Sequence, residues 1–165
     1  VANRLVHYEA AFEEYLRSRK IPYVAVDEAK KTLFADASLK SFDFVVYSSK
    51  GPNLLVDVKG RKARTQTVHR GYESWTTQQD VEDLVQWQEV FGTGFCAILA
   101  FVYWIEPPLL PEASMFEFKE RWYQLMGIDL NQYRHHMRRR SPKWGTVCLS
   151  REDFHQLARP IETWL

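Results

Sequence analysis

Apolar positions recur at helical spacing from about Ala2 to Lys20, where Leu5, Tyr8, Phe12, Tyr15 and Leu16 fall on one stripe. The pattern then changes period. "IPYVAV" (21–26) reads as a strand, and "SFDFVVY" (41–47) and "NLLVDVK" (53–59) read as two more, joined by the Gly-Pro turn signal in "SSKGP". Residues 61–75 are polar, contain Gly71 and are expected to form a mobile loop. Thr76 followed by Gln79 is a capping-box start. It predicts a helix to about Phe91, with Val81, Leu84 and Val85 on its apolar face and "GTG" at its end. "FCAILAFVYWI" (95–105) is the run of a fully buried strand, after which Pro107, Pro108 and Pro111 close the compact core. Beyond it the pattern predicts a strand near Phe116 to Met126, a short helix from Asn131 and a strand over Thr146 to Leu149. A last helix is capped by Ser150. The order helix, three strands, helix, strand implies an α/β fold: a sheet flanked by helices, with a C-terminal α/β extension.

Two of the strands carry charges where a core strand should not. A hairpin turn centred on Lys50 sets Asp43 opposite Asp57, Val45 opposite Leu55 and Tyr47 opposite Asn53. One face then carries Phe42, Phe44, Val46, Leu54, Val56 and Val58, all apolar, which supports this register. The other carries Asp43 beside Asp57, with Lys59 diagonally next to Asp43. Directly opposed residues lie roughly 4.5–5.5 Å apart at Cβ, and like charges there are destabilising. Either one carboxyl keeps its proton or a cation sits between the two. Lys59 offsets part of the repulsion, and a pair of oxygen ligands also suits a hard divalent ion. The plain alternative is a solvated hairpin face with a salt bridge. Glu9 adds weight to the first reading. It lies four residues after Leu5 and three before Phe12, inside the apolar stripe of the first helix, unless it reaches water at the stripe's edge or pairs with His7 or Arg17.

Asp43, Asp57-Val58-Lys59 and Glu9 on the preceding helix together resemble the PD-(D/E)XK nuclease superfamily, near its Holliday-junction-resolvase-like members. The resemblance covers about residues 5–105 and implies a restriction-endonuclease-like core, with residues 106–165 as an extension within a single domain, 1–165. It implies that Asp43 and Asp57 hold Mg2+ (Mn2+ as a substitute), that the Val58 carbonyl joins them, and that Glu9 helps hold the metal or its water. Lys59 would position or activate the attacking water. Gln79 matches a glutamine often found beside such sites, although its capping role with Thr76 is an equal alternative. Phe42 stands where the motif has proline, and Asp57 where glutamate is commoner. The implied activity is metal-dependent hydrolysis of DNA, in repair or recombination, on branched or damaged substrates. Related resolvases dimerise, so a homodimer is expected too.

Composition bears on this only locally. The 165 residues are 45% hydrophobic and 26% charged, as in a globular protein. A net charge of +1 requires any nucleic-acid surface to come from clustering. Two basic clusters qualify: Arg61, Lys62, Arg64 and Arg70 beside the motif, and Arg138, Arg139, Arg140 and Lys143 next to Trp144. Each has a solvated basic face as its alternative. Cys96 and Cys148 fit free thiols in apolar runs, and neither cysteine nor histidine spacing fits zinc. No leader is visible, and the longest apolar run, 11 residues, is too short to cross a bilayer, so a cytoplasmic location and no membrane partner are expected. Two other functions stay open: a nucleic-acid-binding domain of the same fold without turnover, and a structural or interaction domain.

Overall fold

The computed structural model describes residues 6–26, 39–64, 72–109 and 115–165. Its first helix, α1 (Val6–Ser18), ends where Lys20 enters the left-handed region (φ 56°). The Ile21 N–H returns to the Leu16 carbonyl and the Lys20 N–H to the Arg17 carbonyl, a Schellman closure made without glycine. Next come β1 (Tyr23–Ala25), β2 (Phe44–Val46) and β3 (Asn53–Arg64). After β3 lie β4 (Thr76–Thr77), α2 (Gln78–Phe91) and β5 (Phe95–Glu106). The C-terminal part supplies β6 (Phe116–Phe118), β7 (Arg121–Asp129), α3 (Leu130–His136), β8 (Arg138–Ser141), β9 (Thr146–Cys148), α4 (Arg151–Leu157) and β10 (Arg159–Pro160). A 3-10 turn, Ile161–Thr163, follows.

The main sheet runs β1-β2-β3-β5-β7-β10, with β6 also paired to β7. β3 and β5 are parallel over twelve residues, Asn53 opposite Phe95 to Arg64 opposite Glu106, and every other pairing in this sheet is antiparallel. The sheet is therefore mixed, and the parallel pair requires the crossover that α2 supplies. Alternation divides the core into two layers. Leu54, Val56, Val58, Ile98, Ala100 and Val102 face α1, where Phe12 and Leu16 are fully buried. Leu55, Leu99, Phe101 and Tyr103 face α2, α3 and α4, which contribute Val81, Leu84, Tyr133 and Phe154.

Hairpin register is as the sequence predicts: Phe44 pairs with Val56, Val45 with Leu55 and Val46 with Leu54. Phe42 differs. The ladder shifts at Asp43, whose N–H donates to the Val56 carbonyl (2.9 Å), and Phe42 packs instead on Trp87 and Phe91 of α2. Strict alternation does not extend past that irregularity.

The expected loop over 61–75 is also revised. β3 continues to Arg64 because β5 offers it a ladder partner at every position. Residues 65–71, Arg70 and Gly71 among them, lie outside the described residues. Residues 72–75 are tied down: Tyr72 stacks on Tyr103 at 4.3 Å, and Tyr103 and Tyr133 donate to the carbonyls of Glu73 (2.8 Å) and Ser74 (2.5 Å). The Ser74 hydroxyl accepts from the Leu149 N–H (3.0 Å). This anchorage leads β4 into a small antiparallel sheet, β4-β9-β8, that stands beside the start of α2. Thr76 is consequently a strand residue, and the helix cap is Thr77, whose side chain accepts from the Asp80 N–H (3.0 Å).

Candidate functional site

The ionisable residues gather where the β2–β3 ladder ends. Asp43 lies one residue before β2, and its carboxylate accepts the Val58 N–H at 2.6 Å. Because a strand residue's N–H and C=O point to the same edge, the Val58 carbonyl also faces the Asp43 side, beyond the last β2 pair at Phe44–Val56. Asp57 and Lys59 share the α2 face of β3, and Asp43 and Asp57 are each 9% exposed. Lys59 Nζ lies 2.8 Å from Asp57 and 2.7 Å from Asp80, on the first turn of α2. Lys40 grips the other Asp80 oxygen at 2.7 Å, and its backbone N–H donates to Asp83 (3.1 Å). Lys40, Asp57, Asp80 and Asp83 line a cavity of about 10 Å³, room for about one water.

Glu9 is brought in by a close helix–strand approach. A Cβ on Gly60 would lie 2.1 Å from the Tyr8 ring, so only glycine lets α1 sit this near to β3. Glu9, the next residue and half-buried, is near enough for its charge to raise Asp43.

Electrostatics follow from this crowding. Asp43 is pushed up to about 8, first by burial and then by the neighbouring Asp57 charge, against the opposing Val58 N–H bond. Burial likewise raises Asp57, although Lys59 pulls it down. Burial works against the charge on Lys59, but Asp57 and Asp80 outweigh it and raise its pKa above the usual lysine range, so the ammonium persists. Burial would also raise Asp80, yet Lys59 and Lys40 hold it down to about 2. The pair Asp43–Asp57 is thus short of positive charge, whereas Asp80 is saturated with it.

That shortage is what a divalent cation would relieve, and the donors are all hard oxygens: two carboxylates and the Val58 carbonyl. The residues present fit such an ion at its protein side. Among the described residues no group of three or more acidic, histidine or cysteine side chains is placed to hold a metal ion.

Of the residues singled out in the sequence, Asp43, Asp57, Val58 and Lys59 come together, with Glu9 at the rim. Gln79 does not enter: it is exposed and donates to Asp83 (2.8 Å). Its neighbour Asp80 is the α2 residue that reaches the site. Sequence reasoning missed Asp80, Asp83 and Lys40. The first two were findable, since Asp80, Asp83, Leu84 and Trp87 follow the helical stripe and place two carboxylates on a buried face. Lys40 has no such signal.

The two basic clusters differ. Arg61 turns inward: it donates to the carbonyls of Gly60 (2.6 Å) and Trp75, and its guanidinium lies 3.7 Å from the Trp75 ring. Lys62 (2.5 Å) and Arg64 (2.9 Å) pair with Glu106. Arg138, Arg139, Arg140 and Lys143 are exposed.

A search of solved structures finds Hjc, a Holliday junction resolvase from the hyperthermophilic archaeon Archaeoglobus fulgidus. It aligns with TM-score 0.56 and 14% identity over 96% of this chain and 98% of that one. The fold is restriction-endonuclease-like. The neighbour is itself a member of the PD-(D/E)XK nuclease superfamily. No family model and no curated protein matches the sequence.

Proposed function

We propose that this single domain is a metal-dependent DNA endonuclease of the Holliday-junction-resolvase kind, acting in the cytoplasm on branched or otherwise interrupted DNA. One observation carries the reading: two buried carboxylates, Asp43 and Asp57, meet beside a charged lysine at the end of the β2–β3 ladder, in a fold shared with a resolvase.

In this reading Asp43, Asp57 and the Val58 carbonyl would hold Mg2+, or Mn2+ in its place, and Glu9 would help hold the metal or its water. The ion supplies Lewis acidity and a lowered water pKa. Lys59 stays protonated between Asp57 and Asp80, so it does not serve as a general base. Its ammonium instead offsets negative charge that grows on the phosphate oxygens as the bond to the leaving oxygen breaks. Asp80 aims that ammonium, and Lys40 keeps Asp80 in place. Arg138, Arg139, Arg140 and Lys143 draw in the backbone phosphates without reading sequence. A homodimer would present two such sites to the arms of a junction, and sedimentation equilibrium reads that state directly.

The test is cleavage of labelled four-way, flapped and linear DNAs with Mg2+ or Mn2+, by wild type and by two variants. Asp57→Asn keeps size but removes a charge that holds the ion. Cleavage should fall by a factor of about a thousand or more, while DNA affinity in EDTA holds or rises slightly. Lys59→Ala should lose rate with metal binding retained. A wild type that binds these DNAs and cuts none with either metal is a binding domain of the same fold; one that neither binds nor cuts carries only a buried salt bridge.

A further inference from the structure

The β8–β9 hairpin presents a surface that the cleavage site alone does not account for. β8 is an edge strand of the small sheet and carries Arg138, Arg139 and Arg140 in succession, none with a carboxylate partner among the described residues. A bulge between Arg139 and Ser141 takes Arg140 out of the ladder, and its guanidinium lies 5.1 Å from the Trp75 ring. The turn Pro142–Gly145 follows, and Trp144 within it is 70% exposed, the most exposed large apolar side chain among the described residues.

A single exposed tryptophan is ordinary. Its setting here is not that of a loose loop. Gly145, in the left-handed region at φ 58°, donates to the Pro142 carbonyl (3.4 Å) and accepts from the Gln78 N–H (2.8 Å). That bond pins the hairpin tip to the first residue of α2, two residues before the Asp80 that grips Lys59. Lys143 Nζ stands 5.3 Å from the Trp144 ring centroid. The tip therefore brings an exposed indole, on a backbone pinned to α2, together with the β8 guanidinium groups and the rim of the acidic site.

We infer that Trp144 is a stacking platform for an unpaired DNA base, with the β8 arginines on the flanking phosphates. A base offers its π-face only where it has left the duplex stack, at a branch, a flap or a frayed end, and an indole is the side chain best suited to cover it. The cationic neighbours favour the negative strand that carries such a base over a protein groove of neutral character. The inference gives the proposed nuclease a structural basis for preferring interrupted DNA, and it rests on that reading. Binding without metal tests it apart from cleavage.

The experiment uses a forked DNA with 2-aminopurine at the first unpaired position, and a blunt duplex of equal length, both in EDTA. Wild type should change the 2-aminopurine emission on binding and prefer the fork. Trp144→Ala should abolish that change and weaken fork binding by roughly 5- to 100-fold, since one stacked base is lost. Duplex affinity should stay within about twofold, because phosphate contacts remain. Trp144→Phe should restore part of both signals. Replacing Arg138 and Arg139 by alanine should instead weaken both DNAs alike and reduce the salt dependence. Matching thermal melts of the exposed-site variants show that the fold is kept. Equal fork-to-duplex ratios in wild type and Trp144→Ala, or a 2-aminopurine signal unmoved by wild type, overturn the inference while leaving a nuclease reading that cuts DNA intact. A wild type that binds neither DNA overturns both.

Discussion

Burial of Asp43 beside Asp57 predicts a stability that depends on pH, and Asp43→Asn isolates the effect. Folding carries this carboxyl from an ordinary value of 3.8 up to about 8, through burial and the Asp57 charge beside it. Between those values the folded chain keeps a proton that the unfolded chain has released. Stability from this group is therefore fully present below about pH 4, falls as pH rises and is lost once pH passes about 8. One retained proton corresponds to a slope of about 1.4 kcal/mol per pH unit, or roughly 3–4 kcal/mol between about pH 5 and pH 8. Asp80 works in the opposite sense, but held down to about 2 it loses its contribution only below about pH 4, outside that window. Urea unfolding of wild type and Asp43→Asn, in EDTA at unit steps of pH, should show the variant gaining on wild type as pH rises. Added Mg2+ should remove most of the wild-type slope, because the ion takes the place of the proton. A stability difference that is flat with pH would refute the crowded-carboxylate account and leave the pair without reason to attract a cation.

Two further outcomes follow from the packing of the site. Gly60→Ala forces a methyl group into the Tyr8 ring at 2.1 Å, and should destabilise the protein by about 2 kcal/mol or more in chemical denaturation. Combining it with Tyr8→Ala should cost less than the two single changes added together. Asp80→Asn leaves Lys59 held by Asp57 alone, and should lower the cleavage rate about tenfold or more with DNA affinity in EDTA unchanged. An equal loss in binding and rate would assign Asp80 a merely structural part.

The chain's own pattern determined α1, the β2–β3 hairpin, α2 and the long buried strand β5, whereas β4, β8 and β10 carried no such signal. The 3.6-residue stripe of α1 and the two-residue alternation around the Lys50 turn are local signals, and burying one face permits a single hairpin register. Asp57 and Lys59 inherit their common side from the two-residue alternation of β3, whereas Asp43 sits where the ladder turns irregular and is placed by the bond it accepts from the Val58 N–H. What lay beyond local pattern was decided by partners far away in sequence. β3 runs on through Arg64 because β5 pairs with it, and residues 72–75 are ordered by tyrosines from β5 and α3. Arg61, Lys62 and Arg64 read as a basic cluster along the chain, but only Arg61 turns inward, onto Trp75, while Lys62 and Arg64 stay exposed as they share Glu106. Asp80 reaches Lys59, and Lys40 reaches Asp80, only because the crossover through α2 lays its first turn against the middle of β3. A charge reveals its sequence neighbours through spacing; its partners across a sheet depend on how the layers close, and that is a property of the folded chain as a whole.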